Sequence, residues 1–145
     1  DGQVVIAGHT EAVDRAIVLA KEKGAKRAMP LPVSAPFHCS LMIPAGERLA
    51  TVLNGIDVGE MTLPVITNVE AAPNQDSARV RELLVKQVSA PVRWQETIAS
   101  MVELGVDRYV EIGPGKVLSG LAKRMAKGST IQNVQNVADL SALAG

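Results

Sequence analysis

Apolar and polar positions alternate between two periods along this chain. Gln3 to Ala7 is a short β-branched run closed by Gly8, which predicts a strand. Ala12, Val13, Ala16, Ile17 and Ala20 then recur at helical spacing, with Thr10 as the expected N-cap and Gly24 as the residue that ends the helix. Met29 to Phe37 holds Pro30, Pro32 and Pro36, so it must run extended, as an edge strand or a crossing segment. A helix is expected from Pro44 to Leu53, stopped by Asn54-Gly55, and a second strand from Leu63 to Val69. Residues 72–76 read as a loop whose Asp76 caps a helix that turns Val80, Leu83, Leu84 and Val88 inward. Ser89-Ala90-Pro91 breaks that helix. The next, Val92 to Leu104, presents Trp94, Ile98, Met101 and Val102 on one side and closes at Gly105. Arg108 to Ile112 reads as a third strand, and Gly113-Pro114-Gly115 turns into a helix carrying Val117, Leu118, Leu121, Ala122 and Met125. Ile131 to Val134 is expected as a last strand, with a frayed turn over residues 139–145. Strands alternating with helices predict α/β layers on a largely parallel sheet, with a boundary near the prolines of residues 30–36.

Composition narrows the function classes. Fifteen Lys and Arg balance fifteen Asp and Glu in 145 residues, so no uniform field steers the chain to nucleic acid or an anionic membrane. Phe37, Trp94 and Tyr109 are too few to stack single-stranded bases. No apolar run reaches membrane-spanning length. The lone Cys39 leaves no intramolecular disulfide and fits a reducing compartment. The strand-like run starts almost at residue 1, so the chain reads as cut from something longer.

His38 is the first chemical candidate. It ends the extended segment and precedes a helix, where an imidazole reaches into a cleft and, titrating near neutrality, moves protons. The plain alternative is a surface or capping histidine. His9, in a turn, carries less. Two His and one Cys without a chelating spacing argue against a metal site, and Cys39 reads as a small filler. No serine lies in a Gly-x-Ser-x-Gly context, so a base is present without an evident nucleophile. Gln87 continues the inward face of its helix beyond Leu84. Either its amide reaches water, or that end of the helix lies beside His38 and a carbonyl there, side-chain or main-chain, fixes the imidazole's tautomer. Gly113-Pro114-Gly115-Lys116 follows a strand and opens a helix like a phosphate loop. Val110 stands where a Walker loop needs glycine, and Pro114 removes a donor, so a structural turn competes with anion binding. Lys26-Arg27 is a basic pair that is either a solvated helix end or a contact for an acidic or phosphorylated ligand.

Several stretches in order carry a resemblance: residues 2–8, Ala25 to Ala28, Leu31 to Cys39, Leu84 to Val88 with Pro91 to Trp94, and Glu111 to Leu118. Together they resemble the C-terminal half of the malonyl-CoA:acyl carrier protein transacylases, acyltransferases of fatty acid biosynthesis. The resemblance implies an α/β fold: residues 1–33 as part of an inserted ferredoxin-like small subdomain and residues 34–145 as the C-terminal part of an α/β-hydrolase-like large subdomain. It implies a serine acylated by malonyl-CoA and transfer to the phosphopantetheine thiol of acyl carrier protein, with coenzyme A thioester as substrate and no cofactor. His38 matches the family's base, and Gln87 the glutamine whose main-chain carbonyl orients it. Phe37 matches a position where a bulky ring favours malonyl over branched units. Lys26 and Arg27 are the expected substrate-side cations. The family's Gly-His-Ser-Leu-Gly nucleophile segment, its Gly-Gln-Gly oxyanion segment and its carboxylate-binding arginine are not in this sequence. The missing N-terminal half is therefore an expected partner, beside acyl carrier protein and malonyl-CoA, with no nucleic acid and no membrane. The setting implied is the bacterial cytoplasm, with mitochondria or plastids as alternatives. The competing readings are a non-catalytic α/β module binding an anion or coenzyme A, and a structural fragment.

Overall fold

In the computed structural model, which describes residues 2–143, the first helical pattern folds as α1, Thr10–Glu22. Its N-cap is His9, one residue before the Thr10 expected there. His9 is extended and its carbonyl already accepts from Ala12 and Val13, so Thr10 is the first helical residue. The end is as read: Gly24 takes φ +88°, its N–H donates to Lys21 O at 3.0 Å and that of Ala25 to Ala20 O at 2.9 Å, the paired bonds of a Schellman turn. The strand expected at Gln3–Ala7 does not form. A strand is made by a neighbour that takes its backbone bonds, and Val4, Val5 and Ile6 instead remain exposed.

Met29 to Phe37 is extended and unpaired, a crossing segment, tightened by bonds from Val33 N to Leu31 O and from Phe37 N to Ala35 O, each 2.9 Å. A short 3₁₀ turn, Ser40–Met42, leads into α2, Ile43–Leu53, with Pro44 in its first turn. The guanidinium of Arg81 closes the far end, donating to Leu53 O at 2.9 Å and to Ile56 O.

The strand expected over Leu63–Val69 shrinks to β1, Val65–Ile66, which pairs antiparallel with β2, Pro73–Asn74. The segment read as loop thus contributes a strand. Between them Ala71 takes a left-handed φ of +55°, and its N–H donates to Thr67 O at 2.8 Å. Asp76, expected to cap the next helix, caps a 3₁₀ turn at Ser77–Arg79 instead, accepting from Ala78 N at 2.9 Å; that turn leads into α3, Val80–Ser89, whose own N-cap is Arg79. Leu83 is buried, but Leu84 is exposed, against expectation. The helical phase brings Val85 and Val88 to α2 instead, against buried Gly46, where an added Cβ would stand at ordinary contact distance, 3.5 Å from Val85 O and 3.7 Å from Val88 Cβ.

Helix α4, Trp94–Glu103, begins two residues later than read, and Gly105 with φ +78° ends it. Strand β3, Arg108–Ile112, helix α5, Val117–Met125, and strand β4, Thr130–Val134, form a β-α-β unit, β3 and β4 pairing parallel from Arg108↔Thr130 to Ile112↔Val134. Ile98, Ala122 and Ala126 are its buried core, with Trp94, Met101, Tyr109, Met125 and Ile131 packed around them. Val102, Val117 and Leu118, expected inward, are exposed. A 3₁₀ turn, Val137–Leu143, takes part of the expected frayed end, and residues 144–145 lie outside the described residues.

Among the described residues the sheet structure is thus one antiparallel and one parallel pair, not the largely parallel sheet expected. The chain divides into two compact units at Val92 and Arg93, and the prolines of residues 30–36 lie inside the first of them.

Candidate active site

Every residue of the candidate site belongs to the unit of residues 3–92. The proline-rich segment delivers the chain to Phe37-His38-Cys39. Proline has withdrawn the backbone donors that would otherwise pair this segment in a sheet. The Cys39 thiol donates to Pro36 O at 3.1 Å, and Met42 N to Cys39 O at 3.0 Å, so the turn is tied before and behind. At its apex His38 takes φ +61°, a left-handed conformation uncommon outside glycine. Such backbones persist where surrounding contacts hold them and concentrate at functional sites.

Two contacts hold this one. The Nδ1–H of His38 donates to the main-chain oxygens of Gln87 at 3.1 Å and Ala90 at 3.2 Å. Carbonyl oxygens only accept, so these partners place the proton on Nδ1 and leave the lone pair on Nε2. The side-chain Nε2 of Gln87 lies 3.2 Å from the same Nδ1. With Nδ1 protonated, that approach is a contact between two donors rather than a hydrogen bond. It is the main chain of Gln87 that orients the ring.

Gln87 reaches this place because α3 is fastened at its start and along its flank. Arg79 donates to both carboxylate oxygens of Glu70, at 2.8 and 3.0 Å, and Lys86 stands 3.7 Å from the same carboxylate. The Arg79 hydrogen bond is the first cause that holds the Glu70 carboxyl below its ordinary range, against a smaller opposing effect of burial.

The structure therefore brings together His38, Gln87 and a residue that sequence reasoning missed, Ala90. The available signal was Pro91, which ends the helix just there. Phe37, beside His38, is exposed. Lys26 and Arg27 are exposed on the loop after α1; Arg27 Nε donates to Met29 Sδ at 3.0 Å, and neither cation bonds to His38 or Gln87. Among the described residues no three His, Cys, Asp or Glu side chains converge as for a metal ion. Among the described residues no helix is long and apolar enough to cross a membrane.

The Gly113–Lys116 turn is occupied from within. Leu118 N and Ser119 N, in the first turn of α5, donate to the Glu111 carboxylate at 3.1 and 2.8 Å, and Gly115 N donates to Gln135 Oε1 at 3.0 Å. A helix start neutralised by its own carboxylate repels a second anion.

No family model matches the chain. A malonyl CoA-acyl carrier protein transacylase of Salmonella typhimurium is 48% identical over 141 residues, covering 97% of this chain and 46% of the relative. That of Bacillus subtilis is 49% identical over 124 residues, 86% of this chain and 39% of the relative. The chain is homologous to the C-terminal half of the malonyl CoA-acyl carrier protein transacylases. It spans less than half the length of these curated relatives. Among solved transacylase structures, an acyl carrier protein S-malonyltransferase from Vibrio cholerae superposes with TM-score 0.87 at 46% identity, over 94% of this chain and 44% of that one. A malonyl-transacylase in complex with a type II polyketide acyl-carrier protein gives 0.84 at 45%, over 92% and 43%. The α/β architecture is thus that of the transacylases.

Proposed function

We propose that these residues form the base-bearing part of an enzyme that moves a malonyl group from coenzyme A to the phosphopantetheine thiol of acyl carrier protein through an acyl-serine. The observation that supports this is the imidazole of His38, its Nδ1–H held by the Gln87 and Ala90 carbonyls. An imidazole so held has one job left for Nε2, which is to take and return a proton. Nε2 accepts the serine proton as the serine oxygen attacks the thioester carbonyl, and gives it to the departing coenzyme A sulfur. It then takes the proton of the carrier thiol as that sulfur attacks the serine ester, and returns it to the serine oxygen. The serine, the oxyanion amide and the carboxylate-binding arginine come from the N-terminal half.

Phe37 narrows the acyl pocket beside the base, worth about 1–3 kcal/mol against a branched unit. Lys26 and Arg27 meet the phosphates of coenzyme A or of the carrier's arm. Residues 1–33 belong to a ferredoxin-like subdomain and 34–145 to the large subdomain, and the reaction runs in the cytoplasm without a cofactor. The alternative of an anion-binding module draws no support from its own turn, whose amides answer to Glu111.

The test is malonyl transfer to acyl carrier protein by the full-length enzyme. His38→Ala lowers kcat by about 10²–10⁴-fold. Turnover within about twofold of wild type removes His38 from the mechanism.

A further inference from the structure

In an α-helix the carbonyl of each residue accepts from the N–H four residues on. At the end of α3 the Ala90 N–H donates to Lys86 O at 3.0 Å. The next bond of the series would run from residue 91 to Gln87 O, the oxygen that His38 uses. Residue 91 is proline and has no N–H to give.

We infer that Pro91 is a positioning residue for the base, acting by withholding the donor that competes for Gln87 O and by turning the Ala90 carbonyl toward the same ring nitrogen. A residue before proline is driven out of the helical region. Ala90 accordingly has φ −89° and ψ 151°, which stops α3 at Ser89, and its own oxygen lies 3.2 Å from His38 Nδ1. Any other residue at 91 supplies a competing N–H and lets Ala90 fall back into the helix, swinging its carbonyl away. One ring thus provides both acceptors, and with them the hold on the left-handed backbone of His38. The inference deepens the proposed transacylase role of His38, yet its structural arm reads out without catalysis.

The experiment uses the full-length enzyme with ¹⁵N-labelled histidine. The two ring nitrogens of His38 report the tautomer, assigned by loss of their signals in His38→Ala. Wild type shows the neutral ring protonated at Nδ1; a ring protonated at Nε2 overturns the inference before any variant at residue 91 is made. Pro91→Ala yields a mixture of tautomers, a kcat lowered by about tenfold, and a KM for malonyl-CoA within about twofold of wild type. Pro91→Gly restores the N–H while discouraging helix, so it shifts the tautomer less and serves if the alanine variant does not fold. Variants that melt earlier but keep a single Nδ1–H tautomer and wild-type kcat overturn the inference, because the proline is then only structural. If His38→Ala keeps turnover, the transacylase role fails, while the tautomer shift still decides the part played by Pro91.

Discussion

The Nδ1 atom of His38 lies 3.1 Å from the main-chain oxygen of Gln87, across 49 residues of sequence. A carbonyl in this place does the geometric part of what a carboxylate does in a Ser-His-Asp triad: it chooses the tautomer and aims the ring. It brings no charge, so it needs no buried counter-ion and cannot be silenced by acid. The main chain also supplies it whatever side chain is present.

That last property is testable. Gln87→Ala deletes the amide, which lies 3.2 Å from Nδ1, but leaves the main-chain oxygen in place. In malonyl transfer by the full-length enzyme the expected loss in kcat is less than about fivefold, well short of the 10²–10⁴ tied to a working base. A loss as deep as that of His38→Ala would transfer the orienting role to the side chain.

The backbone of His38 sets a second expectation. With φ at +61°, asparagine is tolerated at this position and a β-branched residue is not. On the proposed role of His38 as base, His38→Asn and His38→Val should both lower kcat by about 10²–10⁴-fold. They should differ in stability, with Val lower by about 1–2 kcal/mol. Calorimetric or circular-dichroism melts separate the two, and equal melting temperatures would show that the turn relaxes.

This pair of residues also shows what a sequence carries and where it stops. Gln87 stood out because a polar side chain continued an apolar helix face, and His38 because prolines forced an extended run up to it. Both signals are local. Ala90 carries no chemistry in its side chain, so its contribution appears only when backbone coordinates exist. The β-α-β unit was legible nearly to the residue, since β3, α5 and β4 bond to neighbours close in sequence. The run at residues 3–7 was misread because a strand depends on a partner, and composition does not say whether one is near. Leu84 was misplaced for a related reason. Periodicity defines a face, but the close approach at Gly46 selects which edge of that face is covered.

Gly46 gives a prediction in which size alone changes the sign. Added Cβ contacts at 3.5–3.8 Å are ordinary packing distances, and helix interiors prefer alanine to glycine. Gly46→Ala should raise stability by about 0.5–1 kcal/mol. Gly46→Leu drives α2 off α3, should cost about 1–3 kcal/mol, and displaces the Gln87 carbonyl, so kcat falls with it. A destabilised alanine variant would mean the helices are closer than described.

Glu111 links fold and pH. Hydrogen bonds from Ser119, first its side chain and then its main-chain N–H, hold this carboxyl below its ordinary value of 4.5; burial opposes them, and Leu118 N and Asn133 add to them. Because the folded pKa is depressed, the unfolded chain binds the proton more readily between the two values. The stabilisation is therefore present above about 4.5 and is lost as pH falls through the folded value. Glu70 and Glu96, lowered first by their hydrogen bonds to Arg79 and Arg93, likewise lose theirs as pH falls below about 4.5. Glu111→Gln removes only its own share: it sets an amide donor against the Leu118 and Ser119 amides, which lowers the melting temperature at neutral pH. Melts followed from neutral pH into the acid range should show the gap between wild type and variant closing as Glu111 takes up its proton. A gap that stays constant across that range would mean that Glu111 holds the start of α5 by shape and not by charge.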